Sequence, residues 1–153
     1  MHRVREARSQ RARGLMSDLT AGASLESLTY TITRADLVRY AGASGDFNPI
    51  HWSDRVAAEI GLDGVIAHGM FTLALAGRAV SRWAGGADRV LELGARFTKP
   101  VQVPDDEHGA AVEVSGTVRS VEAGSARIEL TVTSGGDKVL GQARAVIRTD
   151  SDA

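Results

Sequence analysis

The chain has 153 residues, enough for one domain with its own core, and its 43% hydrophobic and 24% charged residues are ordinary for a globular protein. A formal net charge of −1 gives no global basic field for nucleic acid or an anionic membrane. With no cysteine, disulfides, thiolate metal sites and a cysteine nucleophile are excluded, and no apolar run reaches the roughly 18 residues of a membrane span. The lack of cysteine suits a reducing, cytoplasmic location.

Residues 1–18 form a basic leader whose first fourteen residues hold Arg3, Arg5, Arg8, Arg11 and Arg13 against Glu6 alone and lack the apolar centre of a secretory signal. They are expected to be a disordered extension, or to precede a translation start at Met16; transit peptides share this Arg-rich, acid-poor composition. One domain over 19–149 and a frayed tail over 150–153 complete the division.

Leu25 to Ile32 is β-branched and aromatic and predicts a first strand. Thr33 caps a helix from Arg34, with Asp36 near its positive end and Gly42 and Gly45 to stop it. Gly45, Asp46, Asn48 and Pro49 predict a shaped loop. Ile50 and Trp52 beside His51 press that loop toward a core. Ser53 caps a short helix from Asp54 to Ile60, which Gly61 stops.

The stretch Gly69 to Ala84 is long enough for four helical turns, apolar on nearly all sides at its start, and ends at Gly85-Gly86. A helix apolar all round is a buried one. Gly77 inside it implies close approach by a neighbouring backbone or a ligand. Val90 to Thr98, Ala111 to Val121, Ala126 to Thr133 and Val139 to Ile147 alternate as strands do. The last three are joined by connections too short for crossovers, so they form an antiparallel meander. The fold expected is α+β: about five strands with one long helix packed on a face.

Asp46 and His51 are the first candidates for chemistry, because a carboxylate and an imidazole on a rigid loop can hold and move protons near neutral pH. Their separation matches neither same-face helix spacing, so only a bend at Asn48-Pro49 brings them together. The same residues also fit a turn acid and a structural histidine. His68 and Gly69 fall where the long helix begins, and a helix N-terminus carries free donors that suit a developing enolate oxygen. A glycine there also eases a turn and nothing more.

Asp46, His51 and His68 are acceptable metal ligands, but no H-x-x-x-H or H-E-x-x-H spacing supports a metal, and none is expected. Ser44 lies in GASG rather than a G-x-S-x-G elbow, and no nucleotide-binding glycine motif occurs. Arg39, Arg78 and Arg82 are read as solvated faces, with attraction of an acidic carrier protein or a phosphate-bearing thioester as the minor alternative.

GDFNPIHWSD, IAHGM and RFTKPV together resemble the MaoC-like, hot-dog-fold (R)-specific enoyl-thioester hydratases and (3R)-hydroxyacyl-thioester dehydratases. YAGASGDFNPIHW and GLDGVIAHGM are most similar to the β subunit of the mycobacterial-type (3R)-hydroxyacyl-ACP dehydratase. The likeness runs from Leu25 to Ile147. It implies a hot-dog domain that interconverts trans-2-enoyl and (3R)-3-hydroxyacyl thioesters, on ACP or CoA, with no cofactor. It also implies that Asp46 and His51 are the catalytic pair, that Asn48 and Pro49 brace the loop, and that Gly69 supplies an oxyanion-hole N–H. Met70, Phe71, Leu73 and Gly77 are the expected acyl pocket. Gly77 departs from relatives carrying a serine there, and VPDD (Val103 to Asp106) departs from the common V-x-P-G-D turn.

The family's dimers imply a homodimer or a heterodimer with a second hot-dog subunit. A hot-dog thioesterase is one rival; thioesterases of this fold usually carry an acid on the central helix, and Gly69 to Ala84 has none. A non-catalytic acyl-binding subunit is the other, and such a subunit should have lost Asp46 or His51.

Overall fold

The computed structural model describes residues 19–149, so the expected basic extension and frayed tail lie outside the described residues. Strand β1 (Ser24–Ile32) leads into helix α1 (Arg34–Ser44), then a 3-10 turn (Pro49–His51) and a short helix α2 (Asp54–Glu59). The long helix α3 (Gly69–Ala84) follows, and β2 (Val90–Phe97), β3 (Ala110–Glu122), β4 (Ser125–Ser134) and β5 (Asp137–Arg148) close the chain. The five strands form one sheet in the order β1-β3-β4-β5-β2, antiparallel at every junction. This sheet wrapped on α3 is the hot-dog arrangement expected from the sequence.

Local chemistry explains the boundaries. Thr33 accepts from the Asp36 N–H while the Asp36 carboxylate accepts from the Thr33 N–H, a reciprocal capping box that starts α1. Gly45, at φ 75°, ends α1 in the left-handed region, and its N–H reaches the Ala41 carbonyl at 2.9 Å. Gly42 lies inside the helix, so Gly45 alone is the stop. Between β4 and β5, Gly135 and Gly136 both have positive φ (58° and 83°), the requirement of a tight hairpin turn.

The core sits between α3 and the sheet. Leu75, Ala76, Ala79, Val80 and Trp83 of α3 meet inward residues of the strands, among them Val112, Val114, Ile128, Leu130 and Ile147. Gly116 makes room for the largest of these, because a Cβ there would come within 3.0 Å of the Trp83 ring and 3.1 Å of Ile128. The Trp83 indole N–H donates to the Glu26 carbonyl at 3.0 Å, so its burial leaves no orphaned donor.

Helix α3 is not buried all round as its start implied. Met70, Ala74, Arg78 and Arg82 recur every fourth residue and form an exposed stripe, on which the apolar first turns continue into solvated arginines. What approaches Gly77 is the Leu93 side chain, 3.1 Å from the position of a Cβ, rather than backbone. Among the described residues no helix is long and apolar enough to cross a membrane.

Candidate active site

The loop between α1 and α2 is built by side chains that cap its own backbone. The Ser44 hydroxyl accepts from the Asp46 N–H, Asp46 Oδ1 from the Asn48 N–H, and Asn48 Oδ1 from the Ile50 N–H, each at 3.2 Å. Short polar residues at alternate positions thus satisfy the donors a loop would otherwise leave bare. Pro49 opens the 3-10 turn where its missing N–H costs nothing, and the Trp52 indole donates to the Phe47 carbonyl at 3.1 Å across the bend.

One consequence is that the Asp46 carboxylate has two distinct oxygens. Oδ1 is held by the Asn48 N–H, and Oδ2 faces His51 Nε2 at 3.9 Å. The structure therefore brings together the acid and the imidazole that the sequence singled out, through the bend at Asn48 and Pro49.

His51 is fixed from the other side by the strap 65–67. Its Nδ1 meets the Ile66 carbonyl at 2.8 Å, and the Ile66 N–H in turn reaches the Ile50 carbonyl at 3.2 Å. The strap itself is bonded to residues after β2, through Ala67 N–H to the Val101 carbonyl (2.8 Å) and Val103 N–H to the Val65 carbonyl (2.9 Å). A carbonyl only accepts, so Nδ1 carries the proton and Nε2 presents its lone pair toward Asp46.

Burial lowers the His51 pKa below the usual histidine range, and the neighbouring His68 lowers it further. The Ile66 hydrogen bond and the Asp46 charge oppose these effects without overcoming them. The 3.9 Å approach is thus a carboxylate facing a neutral imidazole, not an ion pair in force at neutral pH. Asp46 is half-exposed, whereas His51 is buried. The desolvation foreseen for the loop falls on the imidazole and not on the acid.

A cleft of about 290 Å³ opens beside His51, and Gly69, Thr72, Phe97, Val101 and Leu140 are among its other lining residues; Asp46 is not one of them. Gly69 is the first residue of α3, no side chain caps that end, and its N–H belongs to the free donors of a helix N-terminus. A Cβ at Gly69 would lie 3.0 Å from the Phe97 ring, so glycine keeps this wall thin.

The expected acyl-pocket residues lie elsewhere around this cleft. Met70 is exposed, Phe71 stacks on Tyr40 with ring centres 4.9 Å apart, Leu73 packs on the core and Gly77 faces Leu93. None of the four lines the cleft. Thr72, Phe97, Val101 and Leu140 do, and of these Phe97 and Val101 were already conspicuous within RFTKPV. The part of Ile66 is played by its backbone and leaves no mark in residue type.

Asp46, His51 and His68 place potential ligand atoms within 4.8 Å of one another. The two rings are stacked, with centres 3.8 Å apart and planes at 24°. Face-to-face rings aim their in-plane lone pairs side by side rather than at one point. Carbonyls engage His51 Nδ1 and His68 Nε2, which leaves His51 Nε2 and His68 Nδ1 as the lone pairs in question. The arrangement suits proton handling better than metal coordination.

Residues 18–135 match the model of the MaoC like domain family. The chain is 36% identical over 105 residues to the 3-hydroxyacyl-thioester dehydratase X of Mycobacterium tuberculosis, covering 66% of this chain and 36% of that one. It is 32% identical over 133 residues to the 3-hydroxybutyryl-CoA dehydratase of Methylorubrum extorquens, covering 86% of this chain and 81% of that one. Among solved structures, a MaoC-like dehydratase superposes with a TM-score of 0.84 at 34% identity, over 88% of this chain and 42% of the other. The chain thus spans less than half the length of two of these relatives and most of the third. The matched span contains β1, the acid–imidazole loop, the strap and α3, and the sequence match and the superposition agree that this chain belongs to the MaoC-like domain family.

Proposed function

We propose that the protein catalyses the reversible addition of water across the Cα=Cβ bond of a trans-2-enoyl thioester, giving a (3R)-3-hydroxyacyl thioester. The observation that carries this reading is the pair of acceptors, Asp46 Oδ2 and His51 Nε2, 3.9 Å apart, with His51 in the wall of an apolar cleft. That distance is too long for a direct hydrogen bond. One water fits between them, donating one O–H to each acceptor and turning an oxygen lone pair toward the cleft.

In hydration that oxygen attacks Cβ while one member of the pair takes its proton. Negative charge moves through Cα to the thioester oxygen, where the Gly69 N–H at the positive end of α3 stabilises it. A proton returned from the pair to Cα completes the product; dehydration runs through the same positions in reverse. Asn48 and Pro49 hold the loop that sets the acceptor distance. Met70, Phe71, Leu73 and Gly77 stay assigned to the environment of the acyl chain, outside the cleft lining.

The thioester is carried on ACP or CoA, and the place of the reaction is fatty-acid synthesis in the cytoplasm. A homodimer, or a heterodimer with a second hot-dog subunit, is the assembly proposed. The names of the relatives support the reaction class, since both curated ones are dehydratases of 3-hydroxyacyl substrates.

The test is to incubate the purified protein with enoyl thioesters from butenoyl to hexadecenoyl on both carriers. Loss of the conjugated double bond without release of free thiol supports the reading. Thiol release with the double bond intact identifies a thioesterase, and binding of the thioester with no reaction on either carrier, in the assembled protein, identifies an acyl-binding subunit.

A further inference from the structure

We propose that His68 is a positioning residue: one buried imidazole holds the main chain of Asp46 and lies against the ring of His51, fixing acid and base relative to each other. This rests on the hydratase reading above. His68 is only 2% exposed and sits at the N-cap of α3. Its Nε2 is 3.1 Å from the Asp46 carbonyl, and its ring centre is 3.8 Å from that of His51. Tyr40 of α1 packs on the remaining side at 4.8 Å.

The hydrogen bonding determines the tautomer. The Asp46 carbonyl only accepts, so Nε2 carries the proton, and Nδ1 is left as a bare lone pair. Nδ1 is buried and has no hydrogen-bond partner. An apolar ring would fill the same space without that unmet acceptor, so packing does not account for an imidazole here. What an apolar ring would lose is the donor to Asp46, at the residue whose carboxylate must stay 3.9 Å from His51.

His68 also bears on the charge state of the base. The groups facing His51 are the Asp46 carboxylate across the gap, the Ile66 carbonyl at Nδ1 and the His68 ring on its face, with Lys99 lining the same cleft. Lys99 is paired with Asp137 at 2.6 Å. A second imidazole stacked on His51 opposes its protonation and helps keep Nε2 a lone pair.

Two variants and one spectrum test this. His68→Phe keeps a ring against His51 and Tyr40 but removes the donor; His68→Gln keeps an amide N–H in place of Nε2–H but removes the stack. For the folded fraction of each, His68→Phe should lower kcat by about tenfold or more with KM changed less than about twofold, as displacement of a catalytic group does. His68→Gln should regain most of that loss. In both, the acidic limb of the kcat/KM profile should move to higher pH.

Unchanged kcat and limb in His68→Phe, or equal losses in the two variants, would overturn the proposal. Independently of activity, imidazole nitrogen shifts of the wild-type protein at about pH 8, where histidine is largely neutral, should report Nε2–H for His68 and Nδ1–H for His51. An Nδ1–H tautomer at His68 removes the bond to Asp46 and sinks the idea outright. The expected tautomers in a protein without hydratase activity would instead count against the reaction and leave the His68–Asp46 bond standing.

Discussion

The acid–imidazole loop and the α3–sheet core are held together by different forces. Around Trp83 the core is a close-packed apolar contact, and its stability follows buried area. From Ser44 to Ile50 the loop is a run of side-chain-to-backbone hydrogen bonds over an exposed surface, ending on a half-exposed carboxylate. Each of those bonds adds only about 0.5–1.5 kcal/mol net, yet together they place two reacting groups. The lesson is that stability and activity are separable by region: core substitutions should lower the melting temperature most, and loss of the half-exposed carboxylate should lower turnover at nearly constant melting temperature.

The sharpest way to break that separation is at the extremes of each region. Asp46→Asn and His51→Ala should each suppress hydration by about 10²–10⁴-fold, the range for a positioned acid or base. Asp46 Oδ2 makes no bond that the fold needs, so its thermal unfolding should hardly change. Trp83→Ala should do the reverse, destabilising by about 3–5 kcal/mol in denaturant titrations while the remaining folded protein turns over normally. A large melting shift in Asp46→Asn, or lost turnover in folded Trp83→Ala, would contradict the comparison.

A smaller effect is expected at Asn48. Asn48→Ala removes the acceptor for the Ile50 N–H. It should lower kcat by about tenfold through misplacement of the pair, at a stability cost near 1 kcal/mol. Unaltered kcat would show that Pro49 and the Trp52 bond to Phe47 hold the loop without it.

The smallest effect is in pH. His51 has its folded pKa below its unfolded value of about 6.5, so between those two values the unfolded chain binds more protons. Stability therefore falls as pH drops below about 6.5 and levels off beneath the folded pKa. Activity should persist below about pH 6.5 for the same reason, since Nε2 is still a lone pair. A rate that halves at or above that pH would mean the imidazole is not shielded.

Much of this was legible in the residues. The strands, the Thr33 cap, the Gly85 stop and the bounds Gly69–Ala84 followed from alternation, capping chemistry and glycine placement. So did the bend that unites Asp46 and His51, because glycine, Asn48 and Pro49 leave the backbone few other courses. Arg78 and Arg82 were read as solvated, but the exposure of Met70 and Ala74 on the same stripe of α3 was missed because alanine and methionine read as apolar wherever they face. The cleft was missed in part because its walls come from segments distant in sequence, such as Leu140 of β5 and Phe97 at the end of β2. His68 was visible as a residue but not as a link, since its partner at Asp46 is a main-chain carbonyl.

The central claim is that Asp46 and His51 act on the same water, and a double-mutant cycle measures it directly. Hydration rates of wild type, Asp46→Asn, His51→Ala and the double variant would be compared on one enoyl thioester. If one water bridges the two acceptors, the double variant should be no slower than the slower single variant. Two losses that multiply would mean that the carboxylate and the imidazole work independently, and the shared-water mechanism would fail.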